Sequence, residues 1–276
     1  MPTTLGAAAD VLSLAAIGSE GGDGMHRVLE VPRLRTGDVH IWLACIDLTA
    51  RRIQALVELL TPDEIDRMER FRFPRDRDRF VAARGLLRSC LACYCDTHPG
   101  RLRFRYGTRG KPAVDAGSDE GIRFSVSHAD GIALYAVAGD GQVGVDLEPC
   151  RPHPMDASVA RRYFSQREYA TLSQLPPAMR PDAFIRCWTR REACLKAQGE
   201  GLSSPPQEID ASIVGGAPMA VGRTEGIEVI PWRCVRWCVR DLDVGPDCLA
   251  AVAVHGAARR LSFFAWPPTD RNANGF

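Results

Sequence analysis

Apolar residues along the chain recur at two periods, and these divide it into strands and helices. Val39–Cys45 (VHIWLAC) is an almost unbroken apolar, β-rich run and predicts the first strand. Thr61-Pro62-Asp63-Glu64 predicts a helix start, with Thr as N-cap, Pro in the first turn and acids beside it. Phe80, Ala83, Leu87 and Leu91 then fall on one face of a helix expected from about Arg75 to Cys95. Short strands are expected at Arg103–Tyr106 and Ile122–Ser127, and stronger ones at Ile132–Ala138 and Val143–Leu147. Phe164–Leu172 and Pro181–Gln198 read as helices, and Ile227–Val239 and Cys248–Val254 as closing strands. Strands and helices mix without strict alternation, which favours an α+β fold over a doubly wound sheet. Met1–Gly24 shows no sustained period. The expected organisation is therefore a mobile leader (1–30), an N-terminal half (31–142), a C-terminal half (143–266) and a flexible tail (267–276).

A repeat supports the two halves. At an offset of 104 residues, Thr61–Leu91 lies beneath Ser165–Leu195 without gaps. Glu64 meets Glu168, Phe80 meets Phe184 and Leu91 meets Leu195, and strand Val39–Cys45 falls on Val143–Leu147. A duplication of this kind predicts two similar α/β halves packed as a pseudo-dimer.

Composition narrows the function classes. Lys and Arg total 35 against 34 for Asp and Glu, so the net charge of +1 argues against coating nucleic acid by bulk charge. A local basic pocket for a phosphorylated small molecule stays open. No apolar run approaches the roughly 18 residues a membrane span needs. The 10 cysteines lie mostly inside apolar patterns and read as reduced thiols of a cytoplasmic protein.

Two stretches carry the most chemistry. In Gly144–Pro149 (GVDLEP), strand alternation puts Asp146 and Glu148 on one face, where two carboxylates repel unless a cation sits between them. Oxygen ligands at that spacing suit Mg²⁺; a solvated edge strand is the plainer reading. In Trp188–Lys196 (WTRREACLK), Glu192 and Lys196 share a helix face with Trp188. That pair is either a common surface salt bridge or, on a helix this apolar, a buried pair in need of partners. Arg109–Pro112 is a basic turn suited to a phosphate, and Ser127-His128 ends a strand before Asp130-Gly131. Cys90, Cys93, Cys95 and His98 resemble zinc spacing but lack a second ligand pair. Arg70–Arg79 is Arg-dense, yet Asp76 and Asp78 cancel much of its field.

Taken in order, TPDEIDRMERF (Thr61–Phe71), RGKPAV (Arg109–Val114), FSVSHADG (Phe124–Gly131), GVDLEP, RYFSQREY (Arg162–Tyr169) and WTRREACLK resemble the 4′-phosphopantetheinyl transferase family, in its larger pseudo-dimeric branch. The resemblance runs from about Val39 to Val254. It implies transfer of the phosphopantetheine arm of coenzyme A to a serine of an apo carrier protein, with release of 3′,5′-ADP. It implies Mg²⁺ held by Asp146, Glu148 and Glu192, with Glu192 as base and Lys196 steadying the leaving phosphate. Ser127 and His128 would contact the coenzyme A phosphates, and Arg67, Arg79, Arg109 and Lys111 would surround the nucleotide end. Partners are thus coenzyme A and carrier proteins, with neither nucleic acid nor membrane, and the chain is expected to act as a monomer in the cytoplasm. A non-catalytic coenzyme A or carrier-binding module on the same fold is the alternative. Two positions depart from the family pattern: Glu64, where a basic residue is frequent, and Arg191, where Lys is usual. At offset 104 the first half has Trp42, Ala44, Arg88 and Ala92 in place of Asp146, Glu148, Glu192 and Lys196. One active site per chain is therefore expected, in the cleft between the halves.

Overall fold

A computed structural model describes residues 31–115, 121–150, 157–199, 228–232, 235–256 and 260–266, without the side chains of 157–158, 228–232 and 235–236. The expected leader and tail lie outside these residues. The described elements are mixed α and β in two parts. The first comprises β1 (Asp38–Cys45), α1 (Ala50–Val57), α2 (Pro62–Glu69), α3 (Pro74–Tyr94), β2 (Phe104–Tyr106), β3 (Pro112–Val114), β4 (Arg123–Ala129) and β5 (Ile132–Ala138). The second comprises β6 (Val143–Pro149), α4 (Ala157–Tyr163), α5 (Gln166–Gln174), α6 (Arg180–Gln198), β7 (Glu228–Trp232), β8 (Val235–Leu242), β9 (Cys248–His255) and β10 (Arg260–Trp266).

Two four-stranded sheets carry the fold, in orders β10-β1-β5-β4 and β6-β9-β8-β7, and β2 and β3 form a separate hairpin. Alternation along β1 and β5 divides their side chains between two cores. Trp42, Ala44, Ala133, Tyr135 and Val137 pack under α3. Val39, Ile41, Leu134 and Ala136 face Val143, Val145, Leu147 and Val252 of the other sheet. That shared layer binds the halves together. A third core lies between α6 and the opposite face of β8 and β9.

The sheets also meet edge to edge at β4 and β6, through side chains. Ser125 Oγ accepts the Val145 N–H at 3.1 Å and Ser127 Oγ the Leu147 N–H at 3.2 Å, so two hydroxyls stand in for ladder carbonyls. The last strand departs from a simple division at residue 143. β10 leaves the second half and pairs with β1 in parallel, from Asp38↔Arg260 to Ala44↔Trp266.

The repeat is visible in the helices. Both α2 and α5 begin with a capping box, Thr61 with Glu64 and Ser165 with Glu168. Each buried Glu also holds an Arg from the long helix that follows. Glu64 pairs with Arg84 and Arg88, and Glu168 with Arg191 at 2.6 Å. Removing one member of such a buried pair strands the other charge, at about 3–5 kcal/mol. The acid at position 64 and the Arg at 191, the two departures from the family pattern, are thus structural ion pairs of this fold.

Four expectations change. α1, α4 and β10 have no counterpart in the sequence reading. Ile227–Val239 is two strands rather than one. Phe164 precedes α5, whose N-cap is the extended Ser165. Pro112, read as the end of a turn, begins a strand with Ala113 and Val114 that pairs with β2. No helix among the described residues is long and apolar enough to cross a membrane.

Candidate active site

The site is built on one strand and one helix. In β6, Val143, Val145 and Leu147 point into the inter-sheet core, which turns Gly144, Asp146 and Glu148 toward α6. Gly144 is where the helix lands. A Cβ there would sit 2.0 Å from the Ala193 carbonyl oxygen and 2.3 Å from the Ala197 nitrogen. Only glycine lets the α6 backbone lie directly on the strand. That contact brings Glu192 and Lys196, one turn apart on α6, against the two acids of β6.

Lys196 Nζ donates to Asp146 Oδ1 at 2.6 Å and to Ser127 Oγ at 2.9 Å. Ser127 spends its own proton on Asp146 Oδ1 at 3.1 Å while accepting the Leu147 amide, so its hydroxyl is saturated. Asp146 Oδ2 and Glu192 Oε1, by contrast, are buried without a hydrogen-bond partner. Burial and the charges of Asp146 and Glu148 push the Glu192 carboxyl up to about 7, against the pull of Lys196. Glu148 is also raised, by burial and then by Asp146, although Trp188 hydrogen-bonds to it. Three carboxylates thus crowd around one ammonium, and the local balance is short of positive charge.

Two buried acceptor oxygens and two acids resisting ionisation are what oxygen ligands for a divalent cation look like without the cation. The donor set therefore fits Mg²⁺. The present side-chain positions form no closed ligand set: among the described residues, no three His, Cys, Asp or Glu groups are drawn together as metal ligands. Lys196 is what balances Asp146 here.

The Glu192 shift has a sign that can be measured. Below about pH 4.5 the group is protonated whether the chain is folded or not. As pH rises toward 7 the unfolded chain ionises first, so stability falls through this window, and Glu148 adds in the same direction. In EDTA the thermal midpoint is expected to fall between about pH 5 and pH 8, and Glu192→Gln should flatten that slope. A slope unchanged by the substitution would place the strain elsewhere.

His128 follows Ser127 at the end of β4, beside a two-residue turn formed by the left-handed Asp130 and Gly131. Its imidazole is held below the usual pKa by desolvation and by Lys196, Arg67 and Arg79. The residue as a whole is exposed at the end of its strand. Arg79 grips Asp47 at 2.6 and 2.7 Å, packed against Gly131, and steadies this turn. Arg67 lies over the Phe80 ring. Arg109 sits exposed in the β2–β3 turn.

The structure thus gathers Ser127, Asp146, Glu148, Glu192 and Lys196, with His128, Arg67 and Arg79 at one side. The Lys111 ammonium is elsewhere. It donates to Ala197 O at 2.6 Å, Gln142 Oε1 at 3.0 Å and Val143 O at 3.2 Å. At the matching repeat positions of the first half, among the described residues, no second set of acids stands. Arg88, opposite Glu192 in the repeat, is 1% exposed and bonded to Glu64, Thr61, Pro99 O and Leu102 O. Trp42, opposite Asp146, stacks on Phe264.

Gly144 and the Trp188–Glu148 hydrogen bond were not singled out from sequence. A glycine inside an otherwise apolar strand was the available signal for the first. Cys90 and Cys93 are raised thiols on α3, with Cys93 bonded to the Ser89 carbonyl. Near the Arg-dense strip, Arg75 and Arg79 face Asp47, and Arg77 faces Asp78.

Residues 142–243 match the 4′-phosphopantetheinyl transferase superfamily, and residues 47–140 match the 4′-phosphopantetheinyl transferase N-terminal family. The chain is 37% identical over 236 residues to the 4′-phosphopantetheinyl transferase HetI of Nostoc, spanning 85% of this chain and 92% of that one. It is 36% identical to a putative 4′-phosphopantetheinyl transferase of Synechocystis, over 61% of this chain and 68% of that one. Sfp of Bacillus subtilis is 26% identical, over 57% of this chain and 68% of its own.

Proposed function

The chain belongs to the 4′-phosphopantetheinyl transferase superfamily, and from that premise we propose that it moves the phosphopantetheine arm of coenzyme A onto a serine of an apo carrier protein. The serine oxygen attacks the phosphorus that bears the pantetheine. The bond to the bridging oxygen breaks, and 3′,5′-ADP leaves. The observation that carries this reading is the meeting of β6 and α6, where Asp146 Oδ2 and Glu192 Oε1 are buried and unpartnered beside the cationic end of β4.

Asp146, Glu148 and Glu192 would hold Mg²⁺, which when bound neutralises pyrophosphate charge and orients the attack. Glu192, carried by α6 to the two acids of β6, takes the serine proton. Lys196, beside Asp146 at the same site, would offer its ammonium to the charge developing on the leaving phosphate. His128 donates a ring N–H to a phosphate oxygen while staying neutral, and Arg67 and Arg79 supply positive charge around it. Ser127 fixes Asp146 and Lys196 relative to β6.

A single set of acids, with Ser127 and His128 of β4 beside β6 and α6, supports an enzyme that works as a monomer. A reducing cytoplasm suits its cysteines, of which nine are free thiols among the described residues. Incubation with fluorescent coenzyme A, Mg²⁺ and an apo carrier is expected to label the carrier, and EDTA to abolish labelling. Labelling that persists in EDTA removes the metal. Nucleotide release that needs no carrier points instead to a hydrolase, and tight coenzyme A binding without turnover to a binding module.

A further inference from the structure

We propose that Lys111 is a positioning residue: its ammonium clasps the last turn of α6 to the start of β6 and so holds Lys196 against Asp146. The proposal rests on the transferase reading and adds a part to it.

Lys111 comes from the β2–β3 hairpin of the first half. All three oxygens it meets belong to the second half or its entry: Ala197 O on α6, Val143 O on β6 and Gln142 Oε1 just before β6. An ammonium has three protons, and each has an acceptor. Ala197 O is one of the carbonyls that the end of α6 leaves without an intrahelical partner, where a cation is favoured. The stem is held as closely as the head. A Cβ on Gly199, the residue that ends the helix, would come 3.1 Å from Lys111 Cδ. Burial and the neighbouring Arg123 lower the Lys111 pKa to about 8, so the charge is kept here at a cost that its three bonds offset.

The clasp is one residue from the chemistry. Ala197 directly follows Lys196, and Gly144 carries both Ala193 and Ala197 on its open face. Strand below, glycine between and ammonium at the end fix how α6 is seated. The rotation of that last turn decides whether Lys196 Nζ reaches Asp146 and Ser127. Lys111 also lies away from the phosphate-facing cations. Its charged neighbour Arg123 begins β4 and His128 lies five residues further on, roughly 16 Å along the strand.

Steady-state kinetics and coenzyme A titration on Lys111→Met separate this role from nucleotide binding. A clasp predicts kcat down about tenfold with KM and Kd for coenzyme A within about twofold, because a small misplacement of a reacting group costs rate rather than ground-state affinity. It also predicts faster amide hydrogen exchange in a peptide spanning residues 193–199, a readout independent of turnover. Lys111→Arg keeps the charge but replaces a compact ammonium with a longer planar group. If the Met variant does not fold, the Arg variant is expected to show the same pattern at about threefold. A rise in KM or Kd for coenzyme A with kcat unchanged makes Lys111 a nucleotide ligand and overturns the proposal, as does wild-type exchange at 193–199. Failure of the wild-type protein to label any carrier would instead overturn the transferase reading.

Discussion

Glu192→Gln is expected to cut phosphopantetheine transfer by about 10²- to 10⁴-fold while leaving a folded protein. The substitution keeps the volume and removes the charge. In the folded chain that charge is disfavoured by burial and by Asp146 and Glu148, which is why the carboxyl is held up at about 7. A neutral amide relieves the crowding, so in EDTA near pH 8 the variant should melt no lower than the wild type, and higher if the crowding dominates. Transfer, however, loses the proton acceptor and one of three metal ligands together. Gain or constancy in one assay with collapse in the other is the signature of an acid placed for chemistry rather than for folding. Stopped-time labelling of an apo carrier and a thermal melt on the same preparation decide it. Normal labelling by the variant would remove Glu192 from the reaction.

Gly144→Ala is expected to damage stability and activity together. The new methyl has no flexible side chain to displace; the nearest atoms are the Ala193 carbonyl oxygen at 2.0 Å and the Ala197 nitrogen at 2.3 Å, both backbone. Relief requires lifting α6 off β6. Overpacking of this kind costs about 3 kcal/mol, on the order of 8 °C in thermal midpoint for a chain of this size. Lifting the helix also carries Glu192 and Lys196 away from Asp146, and displacement of about 1 Å is enough to lose roughly a hundredfold in rate. Alanine at Gly110, where a Cβ meets nothing within 4 Å, is the control for glycine loss in general, although its left-handed backbone (φ +83°) adds some strain. Wild-type melting and wild-type rate in Gly144→Ala would mean that the helix is seated some other way.

Elements with strong local signals were legible in the sequence. The Thr61 cap announced α2, the apolar spacing announced α3 and α6, and β1, β5, β6 and β9 are dense in apolar β-formers; Ser165 and Glu168 carry the same capping signal for α5, which was read only as a helix from Phe164. The candidate acids were legible because period 2 in a strand and period 3.6 in a helix say which residues share a face. What periodicity does not carry is which faces meet. That α6 lies on the Gly144 face of β6 follows from the absence of a side chain, a quiet signal beside the charged motif around it. α1 was missed because, within eight residues, only Ile53 is buried. β10 was missed because its partner β1 lies 222 residues earlier, and nothing local marks so distant a pairing. Lys111 illustrates another limit. A lysine in a Gly/Pro turn looks like a phosphate ligand, and only the fold reveals the helix end within its reach.

The return of β10 to the first sheet bears on how the protein is made. A ribosome delivers β1, β4 and β5 long before it delivers residues 260–266. Until then one border of β1 stands open, with apolar Val39, Ile41 and Leu43 beside unpaired backbone groups, a ready template for a neighbouring nascent chain. Trp42 likewise waits for Phe264 and Trp266 to cover it. The amino-terminal half is therefore a poor candidate for independent expression, and its maturation is tied to completion of translation rather than to its own emergence.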